Sequence, residues 1–146
     1  MRTVSEELER IRIANGGLIR AETVVEVAQD EDSPLHSYFC WDDTEAAHKY
    51  RLWQARDLIR VEVTVLEKTN KSIRAYVSLL DDRKNGDGYR SIVDVLNDPD
   101  QRSALLRQAL RSFEYFEERY QVLKELTPLF TSAQKIRKKF GVTKDA

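Results

Sequence analysis

The chain has 146 residues, 41% hydrophobic and 34% charged, a length and balance suited to one folded domain with a real core. Its 24 Lys and Arg nearly cancel 25 Asp and Glu, which excludes a strongly basic, dedicated nucleic-acid binder and leaves room only for a local basic patch. A single Cys excludes an internal disulfide, no apolar run approaches the roughly 20 residues of a membrane span, and the start MRTVSEELERI lacks the apolar stretch of a signal peptide, so a reducing cytoplasm and no membrane partner are expected.

Residues 5–14, SEELERIRIA, read as a first helix. Ser5 is the expected N-cap, acidic residues fill the first turn, and Leu8, Ile11 and Ala14 share one side. NGG at 15–17 ends it, because Asn and Gly accept the left-handed conformation. Residues 20–29, RAETVVEVAQ, form a short second helix with Ala21, Val24, Val25 and Ala28 inward.

PLHSYFCW follows at 34–41, apolar but without a period, and reads as an ordered, buried loop. A helix is expected from about 43 to 60. Asp42 with Glu45 fits a capping box, and Asp43 and Thr44 are rival caps. At about 100° per residue, Glu45, Lys49, Arg56 and Arg60 share one polar stripe. Ala46, Tyr50 and Trp53 flank it on one side, Leu52, Ala55 and Ile59 on the other, which predicts a central helix wrapped by the loop before it.

VEVTVLE at 61–67 alternates Val61, Val63 and Val65 with polar partners. SIRAYVSLL at 72–80 alternates Ile73, Ala75, Val77 and Leu79. With KTNK between them, the two predict a β-hairpin. DDRKNGDGYR, 81–90, reads as a polar loop, and SIVDVLND as one or two helical turns ended near Pro99. From 106 onward Leu106, Ala109, Phe113, Phe116, Tyr120 and Leu123 recur at gaps of three and four, a heptad-like seam. Thr127 with Pro128 is expected to cap and start a last helix that stops at Gly141. The expected fold class is thus α+β, one domain over 1–146. It is mostly helical, with one antiparallel β-hairpin within 5–97 and a long C-terminal helical hairpin over 99–140.

Three chemistries fit residue types in this chain. His36 and Cys40 stand as H-x3-C with His48 nearby, but C-x2-C and H-E-x-x-H are missing, so packing is the simpler account and no metal or other cofactor is expected. A Cys–His nucleophile needs an accessible thiol, and Cys40 between Phe39 and Trp41 reads as buried. No catalytic residues are assigned. The third chemistry is nucleic-acid binding. Helix, short helix, longer helix and hairpin is the order of a winged helix. Lys49, Arg56 and Arg60 would lie on the recognition helix, and Lys68, Lys71 and Arg74 on the hairpin tip. Against this, the connection before the third helix is about a dozen residues, where a helix-turn-helix uses three or four. A protein-interaction or structural role is the alternative, with Phe113, Phe116, Tyr120 and Leu123 as the self-association interface.

SPLHSYFCWDDTEAAHKYRLWQARDLI, followed by RAYVSL and YRSIVDVL, resembles a group of small bacteriophage and prophage proteins that share the pattern SPLH-x2-F-x-WDD-x2-AA-x2-YR-x2-QAR-x-LI. The likeness runs from about Leu18 to Leu126. It implies a phage-encoded protein acting in the host cytoplasm or within the virion, and it carries over no catalytic role. Within the shared pattern, His36, Trp41, Asp42, Asp43, Tyr50, Arg51 and Gln54 stand out as a motif that holds either the loop to the helix or a partner: DNA, or a phage or host protein.

Overall fold

The computed structural model describes residues 1–41 and 44–141. The chain is α+β, mostly helical with short antiparallel strands. It falls into two compact units, Met1–Asp98 and Pro99–Ala146.

The first unit opens with α1 (Val4–Ala14). Its cap is Thr3, not Ser5. The Thr3 hydroxyl accepts from the Glu6 N–H, and the Glu6 carboxylate accepts from the Thr3 N–H at 2.8 Å. That reciprocal box satisfies two free backbone donors at once, which a cap at Ser5 would not do here. Leu8 and Ile11 are buried as expected, whereas Ala14 is exposed at the helix end. Gly16 and Gly17 then turn the chain with φ of 67° and 97°.

β1 (Leu18–Ile19) leads into α2 (Ala21–Ala28), which buries Ala21, Val24, Val25 and Ala28, the four positions its period predicts. A single 3-10 turn (His36–Tyr38) precedes α3 (Glu45–Val61). Thr44 caps α3, its hydroxyl accepting from the Ala47 N–H. The expected caps Asp42 and Asp43 lie outside the described residues. α3 packs on α2 and buries Ala47, Ala55 and Ile59. It is not the wrapped, central helix expected, because its opposite face is open to solvent.

β2 (Val63–Leu66) and β3 (Lys71–Arg74) form the expected hairpin, its turn closed by Asn70 at φ 51°. The alternation runs the other way round. Val61, Val63 and Val65 are exposed, and Thr64 and Leu66 are the half-buried positions. The expected second strand also breaks at Ala75. β4 (Tyr76–Val77) joins a different sheet with β5 (Tyr89–Ser91) and β1, in the order β1-β5-β4, all antiparallel. The stretch 81–90 is therefore not a plain loop. It holds most of α4 (Leu80–Lys84) and the start of β5. α5 (Ile92–Asn97) is the short helix before Pro99.

Burying these helices and strands gives one core of Leu8, Ile11, Ile19, Val24, Leu35, Phe39, Ile59, Tyr76 and Tyr89 with their neighbours. Around it sit ion pairs. Arg90 grips Asp82 with two hydrogen bonds of 2.7 and 2.8 Å. Arg12 bonds both Glu9 and Asp94, tying α1 to α5. Glu7, buried, is bonded by Arg10 and Arg2.

The second unit is a helical hairpin of α6 (Pro99–Tyr120) and α7 (Thr127–Lys139). α6 begins at Pro99, and Thr127 is the first residue of α7 rather than its cap. Leu110, Phe130 and Ala133 are buried, and Phe113 meets Phe130 edge to face at 6.2 Å. The seam is thus only partly inward. Leu110 holds a buried position that the pattern assigned to its neighbour Ala109, and Ala109, Phe116, Tyr120 and Leu123 are exposed. Among the described residues no helix is long and apolar enough to cross a membrane.

Candidate binding face

The motif stretch resolves into two structures with different roles. The first is a strap that fixes the 34–41 loop onto α2 and α3. His36 Nδ1 donates to the Ala28 carbonyl at 2.9 Å, since a carbonyl only accepts. The Trp41 indole N–H donates to the His36 carbonyl at 3.0 Å. Arg51 donates to the Cys40 carbonyl and places its guanidinium over the Trp41 ring, 5.4 Å from the centroid. The Cys40 N–H donates to the Gln54 side-chain oxygen. Four of the seven motif residues, His36, Trp41, Arg51 and Gln54, therefore meet, and what they hold is the protein's own loop. Leu35 and Phe39 are the apolar anchors beneath, while Trp41 is only half-buried.

Cys40 is exposed, contrary to the burial its neighbours suggested. Its side chain faces out because the buried positions of the loop are taken by Leu35 and Phe39. His48 is exposed on α3. Among the described residues no group of three or more His, Cys, Asp or Glu side chains converges to hold a metal ion.

The second structure is the outer face of α3. Tyr50 does not join the strap. It stacks on Trp53, with centroids 5.8 Å apart and planes 14° apart, and the two rings are 50% and 53% exposed. Their helical spacing of three places them side by side. Ala46, Lys49, Asp57 and Arg60 surround them on the same face, all exposed. The sequence put Tyr50 and Trp53 on an apolar flank of a buried helix. The signal that could have found them is the mixed charge around them, which suits water better than a core.

The six basic residues expected at a DNA interface do not act as one set. Arg56 leaves it, because it is half-buried and its Nε donates to Asp87 at 3.1 Å. Lys49 stands 3.9 Å from Glu45 in an i,i+4 pair. Arg74 donates from Nε to the Arg60 carbonyl, joining β3 to the end of α3. Lys68 and Lys71 are exposed at the hairpin turn, and Arg60 on the helix. These residues belong to a unit with 14 Lys and Arg against 19 Asp and Glu, a net −5.

Elsewhere the polar groups explain themselves as struts. The Tyr76 hydroxyl donates to Glu9, the Arg12 guanidinium holds the Glu9 carboxyl below its ordinary range, and burial together with Glu9 pushes the Tyr76 phenol up. A depression beside α1 is lined by Ser5, Glu6, Glu9, Arg10, Ile13 and Ala14, all from one helix, so it is an open surface rather than an enclosing pocket. No family model, curated protein or solved structure matches the chain.

Proposed function

We propose that this chain is a phage-encoded, non-enzymatic binding protein that recognises a protein partner through the outer face of α3. It would work in the host cytoplasm or within the virion, as the resemblance of its 33–59 stretch implies. The carrying observation is the Tyr50–Trp53 stack, half-exposed on the solvent side of a helix whose other side is already packed. Aromatic side chains lose little rotamer entropy on binding and bury large areas, so Tyr and Trp are enriched where interfaces are strongest. Lys49, Asp57 and Arg60 would supply the polar rim.

The strap gives this face its rigidity. Arg51 and Gln54 hold the loop from the same helix that presents Tyr50 and Trp53, so the shared motif would serve to fix the helix rather than to touch the partner. The test is cross-linked capture from phage-infected cells, with wild type beside a Tyr50→Ser/Trp53→Ser variant of unchanged circular dichroism. A partner held by wild type and released by the variant is expected. Equal recovery of every captured protein by both would overturn the α3 reading.

DNA binding is the second reading. The exposed Lys49, Arg60, Lys68, Lys71 and Arg74 favour it. The acidic balance of the unit and the engagement of Arg56 by Asp87 weigh against it. Self-association through Phe113, Phe116, Tyr120 and Leu123 remains part of the proposal for the second unit, where three of the four are exposed.

A further inference from the structure

The β2–β3 hairpin is a sheet of two strands among the described residues. A lone two-stranded hairpin is marginal in water, and three or more strands with a covered face are the usual minimum. The register shows which backbone groups have no partner within it. The Ala75 N–H donates to the Glu62 carbonyl just beyond the first pair, Val63 with Arg74. In an antiparallel ladder, bonded and non-bonded rungs alternate. The bonded rungs are therefore Glu62–Ala75, Thr64–Ile73 and Leu66–Lys71, and the non-bonded rungs are Val63–Arg74 and Val65–Ser72. It follows that the N–H and C=O of Val63 and Val65 point outward along the free edge of β2. Those of Ser72 and Arg74 point outward along the free edge of β3.

The two edges are not equally guarded. Charged side chains and prolines on edge strands discourage pairing with other chains. β3, KSIR, carries Lys71 and Arg74. β2, VTVL, carries no charge, no proline and no glycine, and Val63 and Val65 are 57% and 54% exposed.

We propose that the β2 edge pairs antiparallel with β2 of a second copy of this chain, about a two-fold axis at Thr64. In that register Val63 of one copy and Val65 of the other form bonded rungs through the outward backbone groups. Thr64 faces Thr64 on a non-bonded rung. Glu62 falls opposite Leu66 and Glu67 opposite Val61, so no like charges meet. The result is a four-stranded sheet with four valines adjacent on one face, and β-branched cross-strand pairs of this kind stabilise sheets. A two-fold contact needs a self-complementary patch, and the strand supplies one. This pairing stands apart from the α3 reading and uses none of its residues.

The experiment is sedimentation equilibrium on the full chain from micromolar to sub-millimolar concentration. The mass is expected to rise from 17.0 kDa with concentration. A Val63→Lys/Val65→Lys variant, whose side chains stay on the solvent face, should halve the assembly mass, and Ser72→Lys on the guarded edge should leave it unchanged. Thr64→Cys in a Cys40→Ser background should form a disulfide-linked dimer under mild oxidation, because a non-bonded rung brings facing Cα atoms within disulfide range. Ser72→Cys in the same background should not. A monomer mass at all concentrations overturns the proposal, as does an assembly mass unchanged by the two lysines. If the lysines unfold the hairpin, the cross-link decides: no Thr64→Cys dimer, or equal cross-linking from Ser72→Cys, overturns it.

Discussion

Trp41 stacks on His36, ring centroids 5.0 Å apart and planes 13° apart, while its indole N–H donates to the His36 backbone carbonyl. Two residues five apart thus close a loop on themselves, and Arg51 reaches up from α3 to lie over the same indole. Replacing Trp41 by Ala removes a half-buried ring, a hydrogen bond and the support of Arg51. The expected loss is about 2–4 kcal/mol of unfolding free energy. Trp53→Ala, on the exposed face of α3, should stay within about 0.5 kcal/mol. Urea unfolding of both variants checks the contrast; equal losses would mean that the strap is not what the indole supports.

Gly88 is set against Leu18 across the β1–β5 pair. A Cβ at Gly88 would lie 2.7 Å from Leu18 Cδ1 and 2.8 Å from Cγ. The Leu18 side chain would have to swing away, and β1 is only two residues long. Gly88→Ala is expected to destabilise by about 1–3 kcal/mol, the cost of forcing a methyl into packed space. Gly86→Ala meets no atom within 4 Å, but φ is 101° there, so its cost comes from backbone strain alone. Restoring space with Leu18→Ala should rescue Gly88→Ala in part and leave Gly86→Ala as it was, which a double-mutant cycle by thermal unfolding reads directly.

How much of this was legible in the sequence depends on the length of each signal. α2 was legible residue by residue, because eight positions carry a full apolar period. The hairpin was legible as a hairpin, but not which face is inward: strict alternation defines two faces, and Thr64 and Leu66 serve a two-stranded sheet as well as Val63 and Val65 do. β1, β4 and β5 have two or three residues each, too short for any period, and they exist only because Arg90 and Tyr89 find Leu18 and Ile19 some seventy residues away. Thr3-x-x-Glu6 spells a capping box, whereas Ser5 is followed three residues later by Leu8, which cannot return the second hydrogen bond. At the candidate site, the motif residues pointed to a real cluster, yet the engagement of Arg56 by Asp87 is a long-range fact that a helical-wheel argument does not contain.

The acid side of the stability curve follows from α1. Arg10 holds the Glu7 carboxyl, and Arg12 the Glu9 carboxyl, below the ordinary glutamate value of 4.5. A carboxylate depressed in the folded state contributes stability that is present above that value and is lost as pH falls through the lower, folded one. Stability should therefore fall as the pH is taken below about 4.5. Glu9→Gln removes one of these groups and also weakens the contacts to Arg12 and Tyr76, so it should be less stable at neutral pH and show a shallower acid slope. Chemical unfolding at a series of pH values tests both; an acid slope equal to wild type would show that Glu9 is not one of the groups responsible.

The basic residues at the end of α3 and on the hairpin allow the DNA reading to be tested against the geometry. If Lys49, Arg60, Lys68 and Lys71 touch phosphate, each neutral substitution should weaken binding uniformly across sequences and lower the log–log salt slope by about 0.9. Arg56→Ala should behave differently. Its Nε is committed to Asp87, which also accepts from the Gly88 N–H at the turn before β5. The loss should appear as instability of that turn, with the salt slope unchanged. Fluorescence anisotropy with a labelled duplex at about 50 mM salt, where phosphate contacts are strongest, measures the slopes, and urea unfolding measures stability. A slope lowered by Lys71→Ala but not by Arg56→Ala would place DNA on the hairpin tip. A slope lowered by Arg56→Ala would mean that the Asp87 pair opens to release a phosphate contact. No binding at low salt and micromolar protein would remove DNA and leave the Tyr50–Trp53 face as the recognition surface, consistent with a unit whose net charge repels a polyanion.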